Sequence, residues 1–235
     1  MRRAGFSRVY DLQTSDRSSF YSHLFWPGPK PEWSGIARGC SHPHANPKRD
    51  LMHTIERQQD QLAYAGIPDV RAPDFRWVMR GIMRFFLPRP FVLLVPGGSV
   101  HRPEKRWPIG HYCALATQIA NRGMTPVVLG SHAEKPLANA IAAVAPRVRD
   151  LTGETDLVDL FALAREAALC VGNDTGPMHV TAVMGCPTVV LFSAASDPAL
   201  CAPRGPRVAV LQRSDLTTIR IEEVLAAAPS LTVPG

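Results

Sequence analysis

The sequence predicts an α/β fold built on a parallel sheet, and two observations carry that prediction. From Phe91 onward, short apolar runs alternate with amphipathic segments of helical periodicity, which is typical of strands joined by crossover helices. Several apolar runs are followed by glycine-containing turns, which is where parallel sheets bind ligands. With 235 residues and 46% hydrophobic content, the chain is large enough for a packed core.

The elements of this C-terminal part follow each other regularly and make one complete doubly wound domain. The first strand is FVLLV at residues 91–95, and the next amphipathic helix covers residues 109–121, with Gly123 as its stop signal. Further strands are predicted in TPVVLG, VRDLTG, ALCV, TVVLF and VAVL, and further helices over residues 134–145, from Asp156, over 178–185 and over 218–228.

The first ninety residues are less regular. SRVYDLQ indicates a strand, SFYSHLF a helix, residues 27–46 a long loop, and residues 50–65 a second helix. One strand and two helices are too little for an independent sheet. With PRP at residues 88–90 as the linker, we predict two parts, a partial domain at residues 1–88 and a complete one at 89–235.

Composition narrows the class of protein. The start has no apolar signal region, no stretch approaches a membrane span, and the five cysteines form no CxxC pair, so we expect a cytoplasmic protein with reduced thiols. A net charge of +6 favours an anionic partner, but the signatures of nucleic-acid binding are missing. Cys40, His42 and His44 have a spacing that a metal could use, although their surroundings favour an exposed loop.

GNDTGPMH, residues 172–179, is the most informative motif, because it joins a buried strand to a helix start. Pro177 suits the first helical position, which makes Gly176 the N-cap and leaves the backbone N–H groups of Met178 and His179 free for an anion. The plainer alternative is that Asp174 and Thr175 only cap a short helix.

Three other motifs follow strand ends in the same half. PGGS at residues 96–99 brings backbone amides to an anion, with Lys105 of KRWP as a positive charge, or it is merely a turn. Glu134 of LGSHAE opens a helix and can accept hydrogen bonds from ribose hydroxyls, or it only complements the helix dipole. SDPALCAP, residues 196–203, is predicted to close over the site.

These motifs together resemble a known family. PGGS with KRWP, then GSHAE, then GNDTGPMHVTAVMGCPTVVLF with SDP and CAP, are similar in order and spacing to the C-terminal domain of glycosyltransferase family 9, the ADP-heptose:lipopolysaccharide heptosyltransferases. YDLQTSDRSS and HTIERQQDQLAYAGI resemble N-terminal segments of that family. The resemblance covers essentially the whole chain.

The resemblance implies a fold of the GT-B type, with one complete Rossmann-like C-terminal domain and a partial N-terminal Rossmann-like domain. It implies inverting transfer from an ADP-sugar donor to an anionic glycolipid of the lipopolysaccharide core type, with no metal or other cofactor. By position, Ser99 and Lys105 would hold the diphosphate and Glu134 the nucleoside. The donor-binding residues implied are Gly98, Ser99, Lys105, Glu134, Asp174, Thr175, Gly176 and His179.

On the acceptor side, the resemblance implies a catalytic base in a glycine-rich loop that would lie upstream of Met1, so we expect a chain truncated at its N-terminus. Asp11 and Asp16 are the carboxylates in the early strand and helix. A catalytic role is the less favoured interpretation, because Asp11 is predicted to face the strand start and Asp16 to cap the helix. Arg17 is a candidate contact to an acceptor phosphate, or a solvated helix charge. The loop over residues 27–46 could face an anionic membrane surface, or be a plain exposed loop.

Three functional hypotheses therefore stand. The first is a heptosyltransferase-type enzyme, the second a catalytically incomplete remnant that binds a nucleotide-sugar, and the third another GT-B enzyme such as a sugar-nucleotide epimerase. KRWP and DTGPMH argue against the third.

Overall fold

The computed structural model describes residues 5–75, 77–99 and 101–228. Within it the chain forms two compact units, Met1–Pro73 and Asp74–Gly235. Each unit is built around its own parallel sheet, three-stranded in the first and six-stranded in the second.

The second unit contains a six-stranded sheet in which every neighbouring pair is parallel. Three of its strands, FVLLV, LCVGN and TVVLF, are apolar or nearly so, because helices cover both faces of such a sheet. In chain order the strands are β4 (Phe91–Val95), β5 (Thr125–Val128), β6 (Arg149–Asp150), β7 (Leu169–Asn173), β8 (Thr188–Phe192) and β9 (Val208–Gln212).

The helices of this unit begin and end at signals that the sequence carries. The helix predicted over residues 109–121 has those bounds and buries Tyr112, Leu115, Ala116 and Ile119, while Gly123 adopts a φ of +78°. The helices are α3 (Ile109–Asn121), α4 (Lys135–Val144), α5 (Leu157–Glu166), α6 (Gly176–Val183), α7 (Pro198–Cys201) and α8 (Ile221–Ala227). Across the described ranges, we find no helix with the length and apolar character that a membrane span requires.

The strand order of this sheet is β6-β5-β4-β7-β8-β9. The chain moves outward from β4 in one direction through β5 and β6, and then returns to the other side of β4 for β7, β8 and β9. The order therefore reverses between β4 and β7, and a crevice opens at the carboxyl ends of strands at such a point. One apolar core lies on each face of the sheet, the first around Val92 and Leu115 and the second around Leu93 and Phe192.

The first unit has more strand than the sequence predicted. Its sheet has the order β1-β2-β3, all parallel, and two of these strands fall inside the predicted loop over residues 27–46. The prediction of a single strand was wrong because EWSG and HP are short and partly polar, and they become strands by pairing. The elements are β1 (Arg8–Tyr10), β2 (Glu32–Gly35), β3 (His42–Pro43), α1 (Asp16–Phe20) and α2 (Thr54–Tyr64).

The early helix of this unit also differs from its prediction. Helix α1 begins at Asp16, and residues Tyr21–Phe25 continue it only as a 3₁₀ helix. Asp16 is not the cap. Ser15 caps the helix through a reciprocal pair of hydrogen bonds with Ser18, because a serine three residues before another hydroxyl can close such a capping box.

Residues 77–88, predicted as the end of the N-terminal part, belong to the second unit. Ile82 and Phe85 are each 4% exposed and belong to the core that contains Leu93. Arg149 donates to the carbonyl of Phe85, and Arg165 donates to the carbonyl of Val78. We call residues 77–89 the leading strap, because they run across this unit just before β4.

The five cysteines allow a test of the fold. Cys170 and Cys186 are buried, and burial raises the pKa of the Cys186 thiol to about 12 and that of Cys170 well above its usual value. We expect a thiol reagent at pH 8 to modify only Cys40, Cys113 and Cys201 in the native protein, and all five cysteines after denaturation. Peptide mapping identifies the modified residues, and rapid native labelling of Cys170 would contradict this packing.

Candidate functional site

A cavity of about 600 Å³ lies at the carboxyl edge of the six-stranded sheet, where the strand order reverses. Its walls come from four segments that are distant in sequence: the turn after β4, the turn after β5, the start of α5 and the start of α6. Apolar side chains lie there beside backbone and carboxylate groups, as in pockets that bind small molecules. The lining residues are Val95, Gly97, Gly98, Leu129, Gly130, Ser131, Glu134, Thr155, Asp156, Leu157, Leu160, Thr175, Gly176, Pro177 and Val180.

The turn after β4 presents backbone to this cavity. Gly97 is buried, Gly98 is half-buried, and Arg106 fixes the turn by donating from Nη2 to the Gly98 carbonyl at 2.5 Å. Ser99 is exposed and lies outside the lining residues, and its carbonyl accepts from the N–H of Arg102. Of the two predicted residues in this turn, the structure thus brings Gly98 to the cavity and leaves Ser99 at the surface.

Glu134 is held rigidly in the cavity wall. A Cβ atom on Gly97 would lie 2.7 Å from its Cγ, and a Cβ atom on Gly130 would lie 2.7 Å from its Cβ, so both glycines are needed to seat this side chain. Its Oε2 accepts from the backbone N–H and the hydroxyl of Ser131, at 2.8 and 2.6 Å. Glu134 therefore does support the helix start, as the alternative interpretation predicts. Its other carboxylate oxygen, Oε1, is a second acceptor in a fixed position.

Helix α6 begins one residue earlier than predicted. Thr175 is the N-cap by its extended backbone, Gly176 and Pro177 are the first two helical residues, and His179 is the fourth. The N–H of Met178 is not free, because it donates to the Thr175 carbonyl at 3.0 Å. The difference arises because proline is tolerated throughout the first helical turn, where amides lack partners inside the helix. Thr175 and Gly176 still bring the positive end of the helix dipole to the cavity.

Lys105 and Asp174 form an ion pair next to α6, with 2.8 Å between Nζ and Oδ2. Their side chains are only 15% and 11% exposed, so solvent screens the pair weakly. Neither residue belongs to the cavity lining, and neither does His179, which is exposed on the first turns of α6. In the predicted closing loop, burial raises the pKa of the Cys201 thiol, and the Asp174 carboxylate adds to the shift.

Sequence reasoning missed Asn173, which is fully buried at the end of β7. Its Oδ1 accepts from the Trp107 N–H at 2.9 Å and from the Tyr112 hydroxyl at 3.1 Å. Its Nδ2 donates to the carbonyls of Pro96 and Gly97 at 2.9 and 3.0 Å. One amide thereby joins the turn after β4 to the segment that carries Lys105. The available signal was a polar side chain at the end of an apolar strand, which must find partners when buried.

The candidate residues of the first unit have local partners. Arg17 is exposed and donates from Nε to the Tyr21 hydroxyl at 3.1 Å. Asp11 is 7% exposed, with one carboxylate oxygen accepting from the Thr14 N–H and the other from the Ser18 hydroxyl. Asp11 therefore stabilises the start of α1 rather than facing a substrate.

The Cys40, His42 and His44 spacing does not lead to a metal cluster in the part of the chain that is described, where no three His, Cys, Asp or Glu side chains group suitably. His44 instead pairs with Asp60 at 2.7 Å, and Cys40 Sγ lies 3.6 Å from the Gly35 carbonyl. The hydrogen bond from His44 lowers the pKa of Asp60, and a further one from Asn46 adds to the shift.

A family model and the curated relatives indicate the same protein family. The family model described as glycosyltransferase family 9 (heptosyltransferase) matches residues 1–223. Among curated proteins, lipopolysaccharide heptosyltransferase 2 of Salmonella typhimurium is 36% identical over 113 residues, which are 46% of this chain and 32% of that protein. The Escherichia coli protein of the same name is 35% identical over the same shares. The match thus spans about a third of the length of these curated relatives.

Solved structures agree in fold. The Escherichia coli ADP-heptose lps heptosyltransferase II superposes with a TM-score of 0.73 at 25% identity, covering 96% of this chain and 76% of that one. A family 9 glycosyltransferase from Veillonella parvula gives a TM-score of 0.77 at 21% identity, with 96% and 74% covered. Escherichia coli heptosyltransferase WaaC with ADP gives 0.71 at 20% identity, again with 96% and 74% covered. The predicted α/β fold of the GT-B type is confirmed.

Proposed function

Because the chain belongs to glycosyltransferase family 9, the heptosyltransferase family, we propose that it transfers a heptose from ADP-heptose to a lipopolysaccharide core-type acceptor. The observation that carries the proposal is the cavity at the strand-order reversal, which joins a fixed carboxylate, a glycine turn and a helix N-terminus. The names of the curated relatives and the ADP in a neighbouring structure support the same donor.

In this proposal the nucleoside lies in the cavity and the diphosphate lies toward Lys105. The apolar residues Val95, Leu129 and Leu160 offer a surface for the base, and Glu134 accepts from ribose hydroxyls. Thr175 and Gly176 bring the positive end of α6 to the phosphates. Asp174 keeps the Lys105 ammonium oriented, and an ammonium has three donors, so Lys105 can hold Asp174 and a phosphate oxygen together.

The reaction is a displacement at the anomeric carbon. The acceptor hydroxyl gives its proton to a general base, and its oxygen forms the new bond on the face of that carbon opposite the diphosphate, which inverts the configuration. The bond from that carbon to the diphosphate oxygen breaks, and ADP leaves with the electron pair. Negative charge grows on the departing diphosphate, and Lys105 with the start of α6 stabilises it without rearrangement.

For the acceptor side, we propose an anionic glycolipid and a cytoplasmic protein that contacts the inner membrane peripherally. The net charge of +6 supports an anionic acceptor. Arg17 is exposed and remains the candidate contact for an acceptor phosphate.

The overall test combines binding with product analysis. We expect calorimetric titration with ADP to show one binding site, and incubation with ADP-heptose and a heptose-deficient lipopolysaccharide to yield a heptosylated glycolipid with inverted configuration. Binding of ADP without any transfer would favour the nucleotide-sugar-binding remnant instead. A released and epimerised sugar nucleotide would favour the epimerase, and no ADP binding would contradict both the heptosyltransferase and the nucleotide-sugar-binding remnant.

Glu134→Gln provides the sharpest test of the nucleoside end. Glutamine retains an oxygen that can accept from Ser131, so the helix start is kept, but the charged acceptor is lost. We expect about a tenfold weaker affinity for ADP, since a hydrogen bond to a charged group contributes roughly 1.5–3 kcal/mol.

The matched ligand is 2′-deoxy-ADP, which lacks one ribose hydroxyl. If Glu134 accepts from that hydroxyl, the wild-type protein prefers ADP and the variant does not, so the two changes are not additive. Equal losses for both ligands would mean that Glu134 does not accept from the 2′-hydroxyl.

A further inference from the structure

The leading strap, residues 77–89, is fixed to the donor-binding unit along its length. Val78, Ile82 and Phe85 point into the core and are at most 4% exposed. Arg165 donates to the carbonyls of Val78 and Arg80 at 2.6 and 3.3 Å. The strap is therefore part of this unit's wall, even though it precedes the first strand of the sheet.

Two arginines of the strap reach the first turn of α5. Arg80 lies 2.5 Å from Oδ2 of Asp156 and 3.2 Å from Oδ1 of Asp159. Arg84 lies 2.5 Å from Oδ2 of Asp159. These contacts join residues that are 75 to 79 positions apart in the sequence.

The same turn is a wall of the cavity. Thr155, Asp156, Leu157 and Leu160 line it, while Asp159 is not a lining residue and its side chain is 1% exposed. Asp156 and Asp159 already cap the helix for each other, each carboxylate accepting the other residue's N–H at 2.8 and 2.9 Å. The helix start therefore has its cap without the arginines, and what they add is a link between the turn and the strap.

The energetics of that link differ between its two halves. The pair of Arg80 with Asp156 is exposed on both sides, and such pairs contribute little. The Asp159 carboxylate is buried, and a buried charge that loses its partners must regain water. Water reaches Asp159 only if the turn moves, and movement of the turn displaces the residues that line the cavity.

We infer that Arg80 and Arg84 are positioning residues for the donor: through Asp156 and Asp159 they hold the α5 wall of the cavity in the shape that receives the nucleoside. The inference rests on the proposed function for the identity of the ligand. It also gives the leading strap a role in the donor site, although none of its residues lines the cavity.

The experiment compares Arg80→Gln/Arg84→Gln with Arg89→Gln. Arg89 is a matched control, because it lies on the same strap, is 59% exposed against 55% for Arg84, and pairs with Glu166 at the far end of α5. We expect the double variant to bind ADP about tenfold more weakly and to show a similar rise in the KM for the donor, with kcat within about twofold. Arg89→Gln should match the wild type. The single variant Arg84→Lys, which keeps Arg80, should bind ADP more tightly than the double variant.

Hydrogen exchange without ligand separates this inference from the proposed function. Faster exchange over residues 155–160 in the double variant, but not in Arg89→Gln, is the expected result. Unchanged ADP affinity in the double variant, or an equal loss in Arg89→Gln, would overturn the inference. If the wild type bound no ADP, the proposed function would fail, and unchanged exchange over residues 155–160 would then overturn the positioning role as well.

Discussion

Replacing Lys105 with alanine is expected to weaken ADP binding about a hundredfold, the largest effect on ligand affinity that we expect from a single side chain. Two causes act in the same direction. The diphosphate loses a charge-assisted hydrogen bond, and Asp174, which is 11% exposed, becomes an unpaired carboxylate near the phosphates. The rate of transfer should fall at least as much, because charge on the leaving group grows in the transition state. Calorimetry with ADP and steady-state kinetics measure the two quantities.

Two controls make the Lys105 result specific. Lys135→Ala removes another ion-paired lysine, bound to Asp150 at 2.8 Å and outside the cavity lining, and should leave ADP affinity unchanged. Lys105→Ala combined with Asp174→Asn should recover about tenfold of the lost affinity, since the unpaired charge is gone. A Lys105→Ala protein that binds ADP as tightly as the wild type would show that the diphosphate lies elsewhere.

Replacing Asn173 with alanine is expected to lower the free energy of unfolding by about 3–5 kcal/mol, because it leaves two carbonyls and one N–H without their buried partner, while the Tyr112 hydroxyl keeps the Val95 carbonyl as its acceptor. The loss should also loosen the segment that carries Lys105, two residues before Trp107, and so weaken ADP binding. Urea unfolding monitored by circular dichroism measures the stability, and calorimetry in dilute buffer measures the affinity.

Tyr112→Phe is the matched control for Asn173. It removes the one hydroxyl proton that Asn173 Oδ1 and the Val95 carbonyl share, at 3.1 and 3.2 Å from the hydroxyl oxygen, while the ring still fills its place. We expect a loss of about 1–2 kcal/mol and nearly normal ADP affinity. If Asn173→Ala is no less stable than Tyr112→Phe, the amide does not join the two loops in the way its geometry indicates.

The second unit was predictable from sequence because its strands and helices carry strong local signals. FVLLV and TVVLF occupy β4 and β8 residue for residue, since strands covered on both faces must be apolar throughout. Residues 32–35 and 42–43 lacked any such signal. They form strands by pairing in register: β1 is the neighbour of β2, with Val9 opposite Trp33, and β2 is the neighbour of β3, with Ser34 opposite His42. Register is a property of the folded chain.

The candidate site was predictable in its motifs but not in its connections. The sequence identified Gly98, Glu134, Thr175 and Gly176, and all four line one cavity. It could not indicate that Lys105 meets Asp174, because 69 residues separate them. The strap was equally hidden, since residues 77–89 follow neither a helical nor a strand period and their arginines find partners in α5.

The seating of Glu134 between Gly97 and Gly130 has a consequence for how this site can change in evolution or by design. Neither glycine tolerates a side chain while the glutamate is present, because each added Cβ would come within 2.7 Å of it. Shortening Glu134 to alanine first would open room at Gly97, whose added Cβ meets Cγ, but not at Gly130, whose added Cβ meets the Cβ that alanine keeps. Gly97 and Glu134 therefore form an epistatic pair in which the order of substitution decides whether an intermediate folds, and a change of nucleotide preference should be sought by varying these two together.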